Sequence, residues 1–356
     1  MRIIFYITAA TIILYFLYPV WLKLMATGRR KPGPGPGHVD GISLILLSYN
    51  GKEYLEDKIN MLLKDLRAFS KHEMIIIDDH STDGSQEILR KFEGEPDVCI
   101  ILKPDHRGIP NTMNMAAGLA IYDNLVFCDQ RQDASGNILE KLVMPLAYDD
   151  VGAVSACISH LDKEGCGSII RRYENFLKAQ ESLAGSLMGV YGPLYALKKS
   201  CYSPIPENII LDDLYLSLKV MRQKKISIIT ECRIYDEHIC SLHDYHRIRR
   251  YLKGFWQILV EKDLLWRLPP RELTMLIWHK YIRLLIPVLL CLCYFTTGIL
   301  GFYTPWFMVV FSFLTIIGIA SLTPFFSNLK NIMIHFVRIN VLYVIAMAQL
   351  FLKVEH

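Results

Sequence analysis

The stretch EMIIIDDHSTDGSQEILRKF, residues 73–92, decides the fold. It begins as an apolar run of strand length that ends on two carboxylates, Asp78 and Asp79. After a polar turn it continues with the spacing of an amphipathic helix, and Ser81 stands where a helix N-cap is expected. A buried strand that is followed by a helix is the unit from which parallel α/β sheets are built.

Strand-like and helix-like segments alternate on both sides of this stretch. The other strand-like runs are ISLILLSYN, VCIILKP, NLVFC and VGAVSA, and helical periodicity occupies residues 54–69 and 109–122. This alternation predicts a mostly parallel sheet with helices on both faces. Ligands bind such sheets at the carboxyl ends of the strands. Those ends read SYN, DDHSTD, KPDHRG and CDQRQ, so we expect a polar site at this edge.

The flanking segments have the composition of membrane spans. Residues 3–22 and 284–329 contain no charged side chain, and about 20 apolar residues cross a bilayer. A weaker span over residues 331–352 is interrupted by His335 and Arg338. Basic residues directly after the first span place the middle domain in the cytosol under the positive-inside rule. A cleaved signal peptide is disfavoured, because no clear small-residue cleavage site follows the run.

The sequence therefore predicts a multi-pass protein of the plasma membrane with a cytosolic domain. Residues 1–26 form an N-terminal transmembrane helix and residues 27–41 a Pro/Gly linker. Residues 42–240 form the cytosolic α/β domain, residues 241–281 amphipathic interface helices, and residues 282–356 a C-terminal region of two to three spans.

Charge and cysteine content argue against several other classes of protein. The nine cysteines contain no CxxC pair, so neither a zinc site nor a disulfide framework is indicated. A net charge of +4 is too small to indicate nucleic acid, and the basic residues near the spans fit lipid headgroups better. A transporter is disfavoured, because the few spans show no repeat architecture.

Three further segments carry charges in a pattern that suggests chemistry. VFCDQRQD ends a strand on Asp129, with Arg131 where a second carboxylate would complete a metal clamp. ILDD places Asp212 and Asp213 at the start of an amphipathic helix, where the helix dipole favours carboxylates. Residues 245–262 are basic and aromatic, which fits an interfacial helix, a diphosphate-binding element, or both.

In this order, the motifs resemble those of glycosyltransferase family 2. They are SYN, DDHSTDGS, RGIPNTMN, DQRQ, ILDDLY and RIRRYLKGFWQ. The resemblance covers residues 42–257 and is strongest to the membrane-embedded group that includes cellulose, chitin and hyaluronan synthases. It implies a Rossmann-like fold of the GT-A type, a nucleotide-diphosphate sugar as donor, often a UDP-sugar, and Mg²⁺ or Mn²⁺ as cofactor.

The resemblance also implies a role for each motif residue. The residues matched to the nucleotide site are Tyr49, Asn50, Asp78, Asp79, Asp83 and Arg107. Tyr49 matches the position that packs near the base, and Asp79 matches the acid that contacts uracil and ribose. The residues matched to the DxD motif at the metal and diphosphate are Asp129 and Arg131. The residues matched to the TED motif are Asp212 and Asp213, with Asp213 as general base. The residues matched to the diphosphate and acceptor element are Arg247, Arg250, Tyr251, Trp256 and Gln257.

The motifs depart from the family pattern at the metal and acceptor elements. QxxRW reads RxxRY here, TED reads LDD, and Arg131 replaces the second metal-site acid. Two alternatives follow for Arg131. Its guanidinium faces the phosphates and takes over part of the work of the cation, or it turns away into a salt bridge and leaves Asp129 with the metal.

Together the motifs predict an inverting glycosyltransferase. A metal or fixed cations would neutralise the leaving diphosphate, and a carboxylate base would take the proton of the acceptor hydroxyl. The expected acceptor is a glycan or a lipid-linked sugar at the cytosolic face, in polysaccharide or glycolipid synthesis. The alternative is a catalytically weak nucleotide-sugar-binding subunit of a membrane polysaccharide synthase complex. The sequence does not identify the donor sugar. It also does not decide whether the enzyme adds sugars processively or singly, or whether the chain forms a homo-oligomer.

Overall fold

The computed structural model describes residues 1–27, 39–134, 137–160, 166–236, 243–309, 311–312, 341–342 and 345. The chain divides into two compact units. The larger unit consists of Met25–His238 and Gln257–Leu273, and the smaller of Met1–Leu24, Ile239–Trp256 and Thr274–His356. Most of the predicted Pro/Gly linker and the predicted spans after residue 312 lie outside the described residues.

Strands and helices alternate through the first half of the larger unit, as the sequence predicts. The strands are β1 (Ile42–Ser48), β2 (His72–Asp78), β3 (Val98–Leu102), β4 (Asn124–Asp129), β5 (Asp133–Ala134), β6 (Val151–His160), β7 (Leu194–Lys198) and β8 (Ile226–Asp236). The helices are α1 (Arg2–Ala26), α2 (Lys52–Leu66), α3 (Ser85–Arg90), α4 (Ile109–Leu119), α5 (Ile138–Val143), α6 (Cys166–Ala184), α7 (Asp212–Arg222), α8 (His243–Val260), α9 (Lys262–Leu265), α10 (Pro270–Leu276) and α11 (Arg283–Gly301).

The described strands form one mixed sheet in the order β3-β2-β1-β4-β7-β6-β8-β5. β1 pairs in parallel with β2 and β4, and β2 pairs in parallel with β3. β7 runs antiparallel between β4 and β6, while β6 and β8 are parallel. The carboxyl ends of β1 to β4 therefore share one edge, and the start of β7 joins them there.

Burial explains why the first strands form the centre of the sheet. β1 and β2 are buried along most of their length, as expected of parallel strands that are covered on both faces and so read as continuous apolar runs. The apolar side of α2 contributes Leu55, Ile59 and Leu62 to the same core, all fully buried. The helical periodicity of residues 54–69 thus reports the face that packs against the sheet.

The start of α3 differs from the sequence expectation. Ser81 does not cap this helix, because its hydroxyl donates to Asp78 Oδ1 at 2.5 Å instead. The helix begins later, at Ser85, whose backbone N–H donates to Asp83 Oδ1 at 3.0 Å. The prediction for Ser81 is wrong, because the turn needs its hydroxyl for the buried Asp78 carboxylate.

Two long apolar helices lie mostly in the smaller unit. Among the described residues, two helices are long and apolar enough to cross a membrane by length and composition alone, Arg2–Ala26 and Pro270–Gly301. The second includes the π-helical segment Ile277–Ile282. Within this unit the Phe5 and Phe307 rings meet edge to face, with their centroids 5.0 Å apart.

Candidate active site

Hydrogen bonds between the loops join the strand ends at the predicted edge. The backbone N–H of Asp79 donates to Ser48 O at 2.9 Å, which ties the end of β2 to the end of β1. The side-chain amide of Gln130 donates to Tyr49 O at 2.9 Å, which ties the loop after β4 to the loop after β1. The edge predicted from the strand order therefore does gather the polar loops.

Asp78 is fully buried and holds the turn after β2. Its carboxylate accepts hydrogen bonds from the Ser48 hydroxyl at 3.1 Å, the Ser81 backbone N–H at 2.9 Å and the Gln86 side chain at 3.1 Å. These donors come from three different segments: the end of β1, the turn after β2 and α3. The contacts of Asp78 in this structure are those of a residue that shapes the site.

Asp83 and Asn50 fasten the loop after β1 to the loop after β2. Asp83 Oδ2 accepts the backbone N–H of Lys52 at 2.9 Å, and Asn50 Oδ1 accepts that of Thr82 at 2.9 Å. Asn50 takes a left-handed backbone conformation with φ 46°, which Asn tolerates better than most residues. Burial acts to raise the pKa of the Asp83 carboxyl, but hydrogen bonds from Ser85 and Lys52 outweigh it and lower the pKa.

Asp79 forms a buried ion pair that sequence analysis did not find. Its Oδ1 lies 2.5 Å from Lys103 Nζ, with 7% and 5% of the two side chains exposed. The backbone N–H groups of Arg107 and Gly108 donate to the same carboxylate at 3.1 and 2.7 Å. Burial acts to raise the pKa of Asp79, but the bond from Lys103 and these N–H groups outweigh it and lower the pKa.

Asp79→Asn is expected to destabilise the chain by about 3–5 kcal/mol, because it leaves the Lys103 ammonium buried without a counter-charge. The stabilisation by Asp79 is present above the ordinary pKa of 3.8 and is lost as the pH falls through the lower folded value. Chemical unfolding of the full chain in detergent measures the loss. The double variant Asp79→Asn/Lys103→Met should recover most of it. Equal stability of Asp79→Asn and the wild-type chain would show that the ion pair is not structural.

His106 and Tyr49 lie beside this ion pair. The two rings stack with centroids 4.3 Å apart and planes at 26°, and His106 Nδ1 lies 2.8 Å from Asp79 Oδ2. The guanidinium of Arg107 pairs with the exposed Asp105 at 2.8 Å. Arg107 therefore contacts Asp79 through its backbone N–H and not through its guanidinium.

Asp129 lies at the end of β4 with Arg131 next to it. Arg131 Nη2 lies 3.9 Å from Asp129 Oδ2, and 66% and 33% of the two side chains are exposed. A pair this long and this exposed contributes little stability, so the guanidinium is not locked into a strong salt bridge. In the described part of the chain, no group of three or more His, Cys, Asp or Glu side chains is placed to hold a metal ion.

The loop that follows Asp129 rests on a second buried lysine. Lys58 of α2 is 6% exposed, and its Nζ donates to Gln132 O at 2.5 Å. The sequence offered a signal for it, because Lys58 falls on the apolar face of α2 between Leu55 and Leu62. A lysine at such a position needs a polar partner inside the fold, and here the partner is the loop after β4.

Gly51 leaves room for this loop from the other side. A Cβ at Gly51 would lie only 2.2 Å from the side-chain amide of Gln130. Gln130 Oε1 is buried and has no hydrogen-bond partner among the described residues. The loops after β1 and β4 are therefore in close contact directly beside Asp129.

Asp212 and Asp213 open α7, and both are half-buried. Asp213 Oδ1 accepts the backbone N–H of Leu214 at 2.7 Å. Asp213 Oδ2 faces Gly192 and lies 3.7 Å from where a Cβ of that residue would stand. The next residue, Pro193, accepts the backbone N–H of Asp129 at 2.8 Å through its carbonyl. One turn, Gly192–Pro193, thus lies beside both the predicted metal-site acid, which it bonds through Pro193 O, and the predicted base.

A buried tyrosine lies near the two acids of α7. Tyr195 of β7 stacks on Phe127 with ring centroids 5.1 Å apart. Burial, and then the nearby Asp212, Tyr202 and Asp213, raise the pKa of its hydroxyl well above the ordinary value. The hydroxyl has no hydrogen-bond partner within the described ranges. Sequence analysis did not single out Tyr195, since it reads as an ordinary apolar strand residue.

The residues predicted on the basic stretch divide between the two units. Arg247, Arg250, Tyr251 and Trp256 lie on the part of α8 in the smaller unit, and their roles stay predictions. Gln257 belongs to the larger unit, where its side chain accepts the Ile210 N–H at 3.2 Å and donates to Asn208 O at 2.6 Å. Gln257 therefore holds the segment that leads into Asp212 and Asp213.

Comparison with known sequences finds a family match within the larger unit and relatives that match about half of the chain. Residues 43–187 match the model of the family "Glycosyl transferase family 2". The chain is 24% identical over 201 residues to poly-beta-1,6-N-acetyl-D-glucosamine synthase of Staphylococcus aureus (strain COL), covering 54% of this chain and 48% of that protein. It is 26% identical over 195 residues to the protein of that name from Staphylococcus epidermidis, covering 51% and 46%. The chain thus spans about half the length of the curated relatives it matches.

Comparison with solved structures supports the fold. The mannosyltransferase PcManGT from Pyrobaculum calidifontis, in complex with GDP-Man and Mn²⁺, superposes with a TM-score of 0.77. The match covers 97% of this chain and 98% of that chain at 19% sequence identity. The predicted α/β fold of the GT-A type is confirmed, with the addition that β7 makes the sheet mixed.

Proposed function

We propose that this chain, which carries a family 2 glycosyltransferase domain, transfers a sugar from a nucleotide-diphosphate sugar to an acceptor hydroxyl with inversion. The observation that carries the proposal is the Gly192–Pro193 turn. Pro193 O binds the backbone of Asp129, and Gly192 faces the carboxylate of Asp213. An acid suited to the donor diphosphate and an acid suited to the acceptor thus flank one short segment.

On the donor side, Asp129 would hold Mg²⁺ or Mn²⁺. Its carboxylate is a hard oxygen ligand, and its side chain is 33% exposed at the sheet edge. These ions keep several positions for phosphate and water, so a site with few protein ligands fits them. The bound ion would supply positive charge for the leaving diphosphate. Arg131, beside Asp129, would contribute a fixed positive charge to the same end.

On the acceptor side, Asp213 would take the proton of the attacking hydroxyl. Its Oδ1 accepts the Leu214 N–H, and Oδ2 lies 3.7 Å from where a Cβ of Gly192 would stand. A single base on the acceptor side and in-line attack lead to inversion. Arg247 and Arg250 of α8 are proposed to bind the diphosphate, because guanidinium groups suit phosphate oxygens.

We further propose that the reaction takes place at the cytosolic face of a membrane. The support is that two described helices, Arg2–Ala26 and Pro270–Gly301, are long and apolar enough to span a bilayer. The curated relatives are named for the synthesis of a GlcNAc polymer. Accordingly, a UDP-sugar is the proposed donor, and a glycan or lipid-linked sugar in polysaccharide or glycolipid synthesis is the proposed acceptor.

The proposal is tested by nucleotide release. The full chain in detergent is incubated with a panel of UDP- and GDP-sugars and a membrane extract as the source of acceptor, with and without Mn²⁺. We expect release from a UDP-sugar that depends on the ion and is lost in Asp213→Asn. Nucleotide binding without release from any donor would favour the alternative, a binding subunit of a synthase complex. The size of the product then separates a polymer from a single addition.

A further inference from the structure

The imidazole of His106 fills the space between the Tyr49 ring and the Asp79 carboxylate. It stacks on Tyr49 with centroids 4.3 Å apart, and its Nδ1 lies 2.8 Å from Asp79 Oδ2 and 3.1 Å from Asp79 O. Both neighbours of Nδ1 are acceptors, so Nδ1 carries a hydrogen and donates. A planar ring with an N–H thus lies on an aromatic face and bonds to a carboxylate.

With His106 in this position, the Asp79 carboxylate is fully used. An ionised carboxylate has about four acceptor positions. Oδ1 accepts Lys103 Nζ at 2.5 Å and the Arg107 N–H at 3.1 Å. Oδ2 accepts the Gly108 N–H at 2.7 Å and His106 Nδ1 at 2.8 Å. No position is left for an N–H of a ligand unless one of these donors leaves.

His106 is the donor that can leave. Lys103 is buried in the ion pair, with 5% of its side chain exposed, and the other two donors are backbone N–H groups at the start of α4. The His106 side chain is 49% exposed, and it lies in an irregular segment between β3 and α4. Rotation of one side chain into solvent would uncover both the Tyr49 ring and Asp79 Oδ2.

We propose that the base of the nucleotide displaces His106, replacing it both on the Tyr49 ring and on Asp79 Oδ2. The proposal rests on the proposed function, since it concerns the donor of that reaction. Any base can stack on an aromatic ring, but uracil and guanine also carry a ring N–H that can donate to a carboxylate. His106 is therefore a specificity-determining residue. Its displacement costs the stacking on Tyr49 and the hydrogen bond to Asp79, and only a base that makes both contacts offsets that cost.

The displacement has a measurable consequence for affinity. Ring stacking and a hydrogen bond from a half-exposed side chain each contribute modestly, and a site that must first be vacated binds more weakly, in proportion to the fraction of molecules in which it is vacant. Removing the ring in His106→Ala is therefore expected to tighten the binding of UDP by about 5-fold to 30-fold. His106→Phe, which keeps the stacked ring but cannot donate to Asp79, should give a smaller gain.

Titration calorimetry of the full chain with UDP, CDP and GDP tests the proposal. His80→Asn is the matched control, because it removes an exposed imidazole next to Asp79 at a left-handed position that Asn tolerates; it should leave the affinity unchanged. CDP, whose base lacks a ring N–H, should bind more weakly than UDP to every variant.

Three results would overturn the proposal in distinguishable ways. Weaker or unchanged UDP binding by His106→Ala would show that His106 stays in place and forms a wall of the base site. Equal affinity for UDP and CDP in His106→Ala would contradict the hydrogen bond to Asp79. Failure of the wild-type chain and every variant to bind any of the three nucleotides would instead reject the proposed function itself.

Discussion

Asp213→Asn is expected to lower sugar transfer by about 10²- to 10⁴-fold while nucleotide binding persists. The amide has nearly the same shape as the carboxylate, so the Leu214 N–H that Asp213 Oδ1 accepts at 2.7 Å can keep its partner. The amide cannot take a proton from the acceptor hydroxyl at neutral pH. The loss should therefore appear in the rate of transfer and spare the affinity for the donor nucleotide.

The comparison of Asp213→Asn with the wild-type chain needs a control variant in which another aspartate is changed to asparagine. Asp57→Asn on the exposed side of α2 serves this purpose, since it removes one exposed carboxylate from an element other than α7. Sugar incorporation and UDP binding are measured on the same preparations. A transfer rate near that of the wild-type chain in Asp213→Asn would remove Asp213 from the role of base.

The second large effect concerns the diphosphate. Chelation with EDTA should abolish transfer, and Asp129→Asn should lower it by about 10²- to 10³-fold, as is typical when one group that stabilises developing charge is lost. Arg131→Ala should cause a smaller loss, because its guanidinium lies beside Asp129 at 3.9 Å and 66% of its side chain is exposed. The structure does not hold Arg131 in a strong salt bridge, so it remains available to the phosphates.

Metal titration distinguishes the contribution of the ion at Asp129 from that of the Arg131 guanidinium. Transfer is measured against Mn²⁺ and Mg²⁺ concentration for the wild-type chain and the two variants, with Arg67→Ala as the control. Arg67 also pairs with a carboxylate at the surface, Glu95 at 2.8 Å, but it follows α2 at the end opposite the site loops. Transfer that survives chelation would mean that fixed cations such as Arg131 carry the charge without a metal.

The gathering of the polar loops could be predicted, because it follows from a simple rule. Parallel strands have their carboxyl ends on one edge, and four strand ends in this sequence are polar. Asp79 and the loop that follows Asp129 are indeed joined to the end of β1 at this edge, through Ser48 and Tyr49. For these residues, the local sequence pattern and the rule for parallel sheets were enough to predict that they lie at the same edge.

The partners of these acids could not be predicted in the same way. Lys103, His106 and Tyr195 owe their positions to pairings between segments distant in sequence, such as the placement of β7 between β4 and β6. A strand pattern indicates that a segment is extended, and it contains no information on which neighbour it will pair with. Lys103 and His106 belong to the KPDHRG strand end that was expected at this edge, but the sequence does not say which acid they contact. Lys58 left a more local signal, as a charge within an apolar helical face.

Strand β4 has a consequence for how the two halves of the site respond to local unfolding. β4 is bonded along both edges, to β1 and to β7, so it can open only when two ladders break together. Such strands open only in large cooperative events. Asp213 instead lies in the first turn of a helix, where fraying needs far less free energy. Local unfolding around Asp129, the carboxylate proposed for the donor, should therefore need more free energy than local unfolding around Asp213, the carboxylate proposed for the acceptor.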